Sequence, residues 1–435
     1  MTSLATSASA HTGPLPRWWS GPAYGLLGLP LAFVALPLYV VLPHHYATTL
    51  GLPLASVGAL LMLVRLLDAA AEPLLGRWSD HLYQGPLRMV LWVAGGSALV
   101  QLLGLAGLFF PAVQGPQALA AWMVAGLLLT CLAHSQLVIA HQAWGVRLGG
   151  DAVQRSRVVA WREGPGLIGV VMASALSVAW GAEPMLWVFA LALWMGWLAL
   201  WWAPRPVAAL AQGVSARLPW SAIWQPLRQI AFRRLLAVFV CNGIASAIPA
   251  ALMLFFAQDR LQATQEQIAL FLVLYFVSGA LSMPGWLRVV RRWGLERAWL
   301  GGMLLAIACF GWTTFLSSGQ IAAFALICAL SGIALGADLA LPGALLARLV
   351  ERQGAQGRSE GAYLGWWNLA TKLNLALAAG AALPLLQWGG LQPRHPGCPG
   401  AAAPGLGLCR AALRPQAAGR SVALPLVDSS HFAVA

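Results

Sequence analysis

The sequence has few charged residues. Asp, Glu, Lys and Arg together make up 9% of the 435 residues, whereas soluble globular domains carry about 25%. Hydrophobic residues make up 60%, and the mean hydropathy is +0.73. A chain of this composition has too little polar surface to cover a soluble fold, so it is not a soluble enzyme or binding domain. The composition predicts an all-α polytopic membrane protein.

Cysteine is also scarce. The six cysteines show neither the spacing of a disulfide framework nor that of metal ligands. Four of them, Cys131, Cys241, Cys309 and Cys328, lie within apolar runs, where cysteine serves as a small buried hydrophobe. The sequence therefore predicts no metal site, no cofactor and no redox function. The apolar runs contain no nucleophile paired with a base, so we do not expect an enzyme.

Lysine and acidic residues are the rarest charges. The chain has 13 Asp and Glu residues, and Lys372 is its only lysine, so the net charge of +13 comes from arginine. The arginines gather in alternate breaks between apolar runs, and Arg260 is the sole arginine of the opposite breaks. This distribution follows the positive-inside rule. It predicts an inner-membrane protein with a cytoplasmic N-terminus and the lipid bilayer as its partner. The basic charge therefore reflects membrane topology and does not indicate nucleic-acid binding.

Eleven apolar runs are long enough to span a bilayer. They cover approximately residues 23–43, 54–77, 87–110, 118–146, 158–181, 184–203, 233–257, 266–290, 297–317, 320–348 and 361–388. The predicted domains are a cytoplasmic tail (1–20), a six-helix half (21–203), a central cytoplasmic linker (204–231), a five-helix half (232–390) and an irregular tail (391–435). That last segment is rich in Pro, Gly and Arg and contains no apolar span. We hypothesise a shift of reading frame near Gly390, which resequencing of the gene would test.

Three charged residues lie close together within the second apolar run. Arg65, Asp68, Glu72 and Gly76 share one stripe of a helix. Three unpaired charges at mid-membrane would cost roughly 8–10 kcal/mol, so they must face partners or water. One interpretation is a structural pair between Arg65 and Asp68, which leaves Glu72 unexplained. The other is a cation or proton site on a translocation path.

This stretch resembles a known family. The pattern formed by Arg65, Asp68, Glu72, Pro73, Gly76 and Asp80 is similar to the second-helix signature of the glycoside-pentoside-hexuronide:cation symporters. These are the melibiose-permease-like branch of the major facilitator superfamily. The resemblance implies a fold of two six-helix halves, with the twelfth helix missing or corrupted here. It also implies that Asp68 and Glu72 bind the coupling cation, H⁺ or Na⁺, although family members usually carry Asp at the position of Glu72.

The second half supplies two further buried charges. Lys372 lies about eleven residues into its apolar run, on a stripe with Asn368, and the resemblance implies that this lysine lies beside the cation site. We expect Lys372 and Arg65 to act as alternative counter-charges. Asp338 lies in a Gly-Ala-Asp-Leu-x-Leu-Pro segment that the family shares; the alternative is an Asp that caps broken backbone before Pro342.

Candidate solute-binding residues lie on three other spans. The resemblance maps the family's helix-5 arginine onto Arg162, and we add His141, Gln142, Trp367 and Asn368. For His141 a purely structural hydrogen bond is the alternative. Where sugar-transporting members carry acidic acceptors, this chain has Ala32 and Val138. The prediction is a monomeric, cation-coupled symporter of a sugar or glycoside-like small molecule, working by alternating access. The alternative is a proton-coupled or facilitative carrier of an amphiphilic or lipid-like solute.

Overall fold

The computed structural model describes residues 20–179, 181–206, 219–257, 261–317, 319–356 and 358–388. Within these ranges every regular element is helical, which confirms the predicted all-α fold. The long helices are α1 (Ser20–Thr48), α2 (Leu54–Tyr83), α3 (Leu87–Phe109), α4 (Pro116–Arg147), α5 (Ala152–Ala179), α6 (Ala182–Leu200), α7 (Ile230–Phe255), α8 (265–293), α9 (295–313), α10 (Ile321–Arg352) and α11 (Glu360–Trp388). The predicted tail 391–435, residues 1–19 and residues 207–218 of the linker lie outside the described residues.

Helix α1 is broken into segments. Its pieces are Ser20–Gly25, Gly28–Phe33, a π-helical turn Pro37–Val41, and Leu42–Thr48. Proline has no N–H to donate and its ring clashes with the preceding turn, so a proline-rich span cannot keep a regular hydrogen-bond ladder. Pro37 begins the π-helical turn. Pro30, Pro37 and Pro43 are the local cause of this loosening.

Helices α8 and α9 are joined by one glycine. Helical hydrogen bonding runs almost continuously from Gln265 to Thr313, but Gly294 has φ 80° and ψ 173°, which is not helical. A residue with a Cβ would be strained in this conformation. Gly294 therefore turns the chain back at the point where the sequence predicted a break between two apolar runs.

Six of the described helices are long and apolar enough to cross a membrane by length and composition alone, when α8 and α9 are counted together. Helix α2 is not among them. It carries Arg65, Asp68 and Glu72 in successive turns. Charges that face partners inside a bundle lower the hydropathy of a span without preventing it from crossing.

The helices form two halves that meet along a seam. One core joins α1 and α3 to α6 around side chains such as Leu27, Leu105 and Phe189. Cores in the second half lie between α8, α9 and α10. At the seam, α2 packs on α11 and α5 packs on α8, α9 and α10. A further cluster crosses the seam, where Ala143 of α4 packs with residues of α7, α10 and α11.

Candidate cation and solute site

A lysine and two acids meet across the seam. Lys372 of α11 lies between Asp68 and Glu72 of α2. Its Nζ is 2.5 Å from Asp68 Oδ2 and also forms an ion pair with Glu72 Oε1. Ser135 of α4 completes the group: Lys372 Nζ donates to Ser135 Oγ at 2.7 Å, and Ser135 Oγ donates to Asp68 Oδ1 at 2.8 Å. We call these four residues the acid–lysine cluster.

The acid–lysine cluster holds more negative than positive charge. The side chains of Asp68 and Glu72 are 3% and 1% exposed, and that of Lys372 is 27% exposed. Two buried carboxylates and one ammonium leave one negative charge to be balanced by a bound cation or proton. Glu72 Oε2 has no hydrogen-bond partner among the described residues. The cluster can therefore accept one more positive ligand on the side of Glu72.

Close helix packing brings the cluster together. A Cβ at Gly76 of α2 would lie 2.9 Å from the carbonyl carbon of Gly361 and closer still to its oxygen, and a Cβ at Gly365 would lie 2.8 Å from the Cα of Pro73. These glycines let the backbones of α2 and α11 touch, as small residues do in membrane helix pairs. Lys372 lies two turns further along α11 than Gly365, level with the two acids.

Arg65 is not part of the acid–lysine cluster. Its guanidinium lies 3.9 Å from the ring centroid of Tyr39 in α1, a cation–π contact. In the described part of the chain it forms no ion pair, so the predicted structural pair with Asp68 is not present. The helical stripe predicted correctly that Arg65 faces other helices, but it did not predict the partner of Arg65. The guanidinium stacks on the ring of Tyr39, and both acids pair with Lys372 instead. The role of Arg65 as an alternative counter-charge stays a prediction.

Polar contacts close the seam at one end of the bundle. This end of the bundle contains the connections that follow α2, α4, α6, α8 and α10, and we call it the arginine-rich end. Asp80 accepts hydrogen bonds from the backbone N–H groups of Gly361 (2.6 Å) and Ala362 (3.1 Å) and lies 3.3 Å from Arg77. A carboxylate suits this position because the first N–H groups of α11 have no partners in their own helix.

Two ion pairs strengthen this closure. Arg147 Nη2 is 3.0 Å from Glu360 Oε2, and Arg155 pairs with Glu351. Each pair joins the first half to the second. These pairings of Arg147, Glu360 and Glu351 were not predicted from the sequence, because charges near loops have no identifiable partner until the two halves are docked. The structure is therefore closed at the arginine-rich end.

Three of the predicted solute-binding residues line one cavity at the seam. Gln142, Arg162 and Trp367 border it together with Tyr24, Arg155 and apolar side chains from both halves. Its volume is about 30 Å³, which has room for about one or two water molecules. The cavity is too small for a sugar in this closed arrangement. It can admit a solute only when the halves separate.

The other predicted solute-binding residues have different surroundings. His141 Nε2 is 2.8 Å from the carbonyl oxygen of Tyr24, and its ring packs on Tyr24 at a centroid distance of 4.4 Å. It borders a separate small cavity of the first half. This geometry favours the structural alternative for His141. Asn368 is buried on α11 one turn before Lys372, and its Nδ2 has no partner in the described residues.

Asp338 lies inside the second half. It accepts hydrogen bonds from Asn242 Nδ2 (3.1 Å), Trp299 Nε1 (2.9 Å) and Ser246 Oγ (3.5 Å). Helix α10 continues through Pro342 to Arg352. The alternative of an Asp that caps broken backbone before Pro342 is therefore wrong, because neutral donors from α7 and α9 reach the carboxylate instead. Asp338 ties three helices of this half together.

Asp80→Ala is expected to weaken the closed arrangement. The change removes a carboxylate that accepts two backbone hydrogen bonds, and hydrogen bonds to charged groups contribute about 1.5–3 kcal/mol. We expect a lower midpoint of thermal unfolding in detergent. Glu183→Ala is the control, because Glu183 is an exposed acid in the first turn of α6. An equal fall in both variants would contradict the role given to Asp80.

Comparison with known proteins identifies the family. A family model described as MFS/sugar transport protein matches residues 22–403. No curated protein sequence matches significantly. Among solved structures, a bacterial homologue of the iron transporter ferroportin in its outward-facing state is 16% identical, with 84% of this chain and 92% of that chain covered and a TM-score of 0.62.

Two further structures show the same fold. The human organic anion transporter MFSD10 is 19% identical over 87% of this chain and 97% of its own, with a TM-score of 0.62. The major facilitator transporter FucP in the outward conformation is 12% identical over 86% and 93%, with a TM-score of 0.61. The chain, a multi-pass membrane protein with the major facilitator fold, belongs to the MFS/sugar transport protein family of secondary transporters.

Proposed function

We propose that the chain is a cation-coupled symporter of the glycoside-pentoside-hexuronide branch, carrying a sugar or glycoside-like solute with H⁺ or Na⁺. The observation that carries the proposal is the position of Lys372 between Asp68 and Glu72, across the seam between the halves. The two halves must separate during transport, so a buried ion pair between them is unlike a contact with a purely structural role. It suits a site whose pairing changes during transport.

The coupling mechanism follows from competition for two carboxylates. A proton or Na⁺ that binds Asp68 or Glu72 neutralises a charge that Lys372 otherwise balances. Lys372 then balances only the remaining carboxylate, which weakens its contact with α2 and makes it easier for α11 to move relative to α2. Because the ion binds the two arrangements with different affinity, it shifts the equilibrium between them. Alternating access of a solute site at the same seam would be coupled to the ion in this way.

The solute site of the proposal is the seam cavity bordered by Gln142, Arg162 and Trp367. Arg162 donates to Glu163 Oε1 from Nε at 2.9 Å and from Nη2 at 2.5 Å. Arg162 therefore borders the cavity as a donor whose charge is balanced by Glu163, which does not border the cavity. Trp367 stacks on Phe239 at 3.9 Å between centroids and provides an aromatic wall suited to a sugar ring.

One observation favours a second candidate, a carrier of an amphiphilic or lipid-like solute. Among the described residues that border the seam cavity, no Asp or Glu is present. Sugar hydroxyls are usually bound by buried acceptors, and a site without them discriminates poorly among sugars. An amphiphile with an anionic or polar head would need only Arg162 and the apolar walls.

Uptake into proteoliposomes tests both candidates. We expect accumulation of at least one member of a panel of glycosides, pentoses and uronides under an imposed proton or Na⁺ gradient, and its collapse when that gradient is removed. Accumulation of lysolipids alone would favour the second candidate. No accumulation of any member under either gradient would overturn cation-coupled symport.

Glu72→Gln tests the coupling step. The variant keeps the shape of the side chain and removes the charge next to the unpartnered acceptor, so gradient-driven accumulation is expected to fall at least tenfold, the effect of about 1.4 kcal/mol. Exchange of solute at equal concentrations should persist, because it requires no net ion movement. Glu266→Gln, an exposed acid in the first turn of α8, is the matched control and should accumulate solute normally.

A further inference from the structure

A second cavity lies away from the seam, on the outer side of the second half. It is a groove of about 450 Å³ between α7, α9 and α10 at the arginine-rich end. Cavities of roughly 300–1,000 Å³ are the size of small-molecule sites. The groove borders on Leu345 and Leu349 of α10, whereas Leu346 and Ala347 of the same helix border the seam cavity. The two cavities therefore lie on opposite faces of α10.

The mouth of the groove carries an excess of positive charge. Arg234 of α7, Arg348 and Arg352 of α10, and Glu296 of α9 border it. Arg348 forms an ion pair with Glu296. In the described part of the chain no ion pair is present for Arg234 or Arg352, and both are exposed. Two guanidinium groups are thus available to one anion.

The rest of the groove is apolar. Val238, one turn along α7 from Arg234, is 47% exposed, and Leu300 of α9 is 54% exposed. The exposed apolar face continues along α9 through Leu304 and Ile307, which are 57% and 67% exposed. An apolar face of this kind on a membrane helix is covered by acyl chains. The groove thus places a cationic site directly beside a surface for hydrocarbon.

We propose that this groove binds one anionic phospholipid, with its phosphate between Arg234 and Arg352 and an acyl chain along Val238 and Leu300. The chemistry selects this ligand on two grounds. Basic pockets between membrane helices on the side with the basic loops bind anionic headgroups. A soluble anion would use the arginines but leave the apolar floor uncovered. A zwitterionic lipid carries a cation next to its phosphate, so it would neutralise the two guanidinium groups less well.

Native mass spectrometry of the purified full chain in a neutral detergent tests the proposal. Phosphatidylglycerol and phosphatidylcholine with identical acyl chains are added separately. We expect one phosphatidylglycerol to be retained preferentially. The double variant Arg234→Gln with Arg352→Gln should lower its affinity roughly tenfold, because each basic residue near the headgroup contributes to binding. Leu300→Gln, at a position that is 54% exposed, should weaken retention in the same direction.

The control variant removes two positive charges from outside the groove. Arg88→Gln with Arg358→Gln changes two exposed arginines of the arginine-rich end that do not border the groove, and it should retain the lipid as wild type does. Equal retention of both lipids, unchanged retention in the groove variants, an equal loss in the control, or full competition by soluble glycerol 3-phosphate would each overturn the proposal.

Discussion

Replacing Lys372 with Met is expected to destabilise the protein by about 3–5 kcal/mol at pH 8, the usual cost of removing one partner from a buried ion pair. The variant leaves the buried carboxylates of Asp68 and Glu72 next to each other without the ammonium that balances them. The methionine keeps most of the apolar stem, so lost packing contributes little. The midpoint of thermal unfolding in detergent, followed by tryptophan fluorescence, measures the effect.

Arg65→Met provides a matched control for this prediction. It removes one positive charge from the same part of α2, but its guanidinium contacts Tyr39 and not the acids. Loss of a cation–π contact costs only about 0.5–2 kcal/mol, depending on how far the contact is buried. If Arg65→Met proves as destabilising as Lys372→Met, the acids have a different counter-charge from the one assigned here.

Neutralising the acids should rescue the lysine variant. In the triple variant Asp68→Asn, Glu72→Gln and Lys372→Met, no charge remains at the cluster, and replacing a whole buried ion group by neutral side chains is often close to neutral in stability. We expect most of the lost stability to return while gradient-driven uptake stays absent. A triple variant as unstable as the single one would show that packing, and not charge, explains the lysine result.

Gly76→Ala is expected to open the seam at the arginine-rich end. The new Cβ would collide with the backbone of Gly361, which has no side chain that can rotate away. Overpacking of this kind typically costs about 1–3 kcal/mol. A shift of that size between two arrangements changes their ratio roughly 5–150-fold. The fold of each half is preserved, because the collision lies between the halves.

Thiol labelling can measure this opening. Val159 borders the seam cavity and is 7% exposed, so Val159→Cys in a background without native cysteines should be protected in the closed arrangement. Adding Gly76→Ala should raise its labelling rate at least fivefold, the lower limit of that range. Gly58→Ala is the control on the same helix, since a Cβ there meets nothing within 4 Å. Unchanged labelling in Gly76→Ala would mean that the two helices tolerate the methyl group.

Helices α2 and α11 touch at two different depths in the bundle. The glycines allow α2 and α11 to touch near the arginine-rich end, and the acid–lysine cluster joins them two turns further in. The first contact depends on shape and the second on charge, so only the second responds to a bound cation. A bound ion can therefore weaken the contact at Lys372 without directly changing the contact between Gly76 and Gly361.

The sequence by itself determined the helices and the inward stripe of α2. Apolar length, proline and glycine positions act over a few neighbouring residues, so they predict a helix or a break locally. The cost of burying Asp68 and Glu72 is also local, and it required a partner of opposite charge somewhere in the bundle. That Lys372 is this partner was implied by the resemblance to the symporter family and not by the local cost.

Only the tertiary structure decided which charges meet. The bond between Lys372 and Asp68 joins residues 304 positions apart, and its formation depends on the rotation and crossing of α2 and α11. The docking of the two halves also brings Asp80 to the first N–H groups of α11 and Arg147 to Glu360. The packing of α1 on α2 brings Arg65 to Tyr39. Such pairings depend on the distance between atoms of different helices, and a helical stripe defines a direction on one helix but no distance to another.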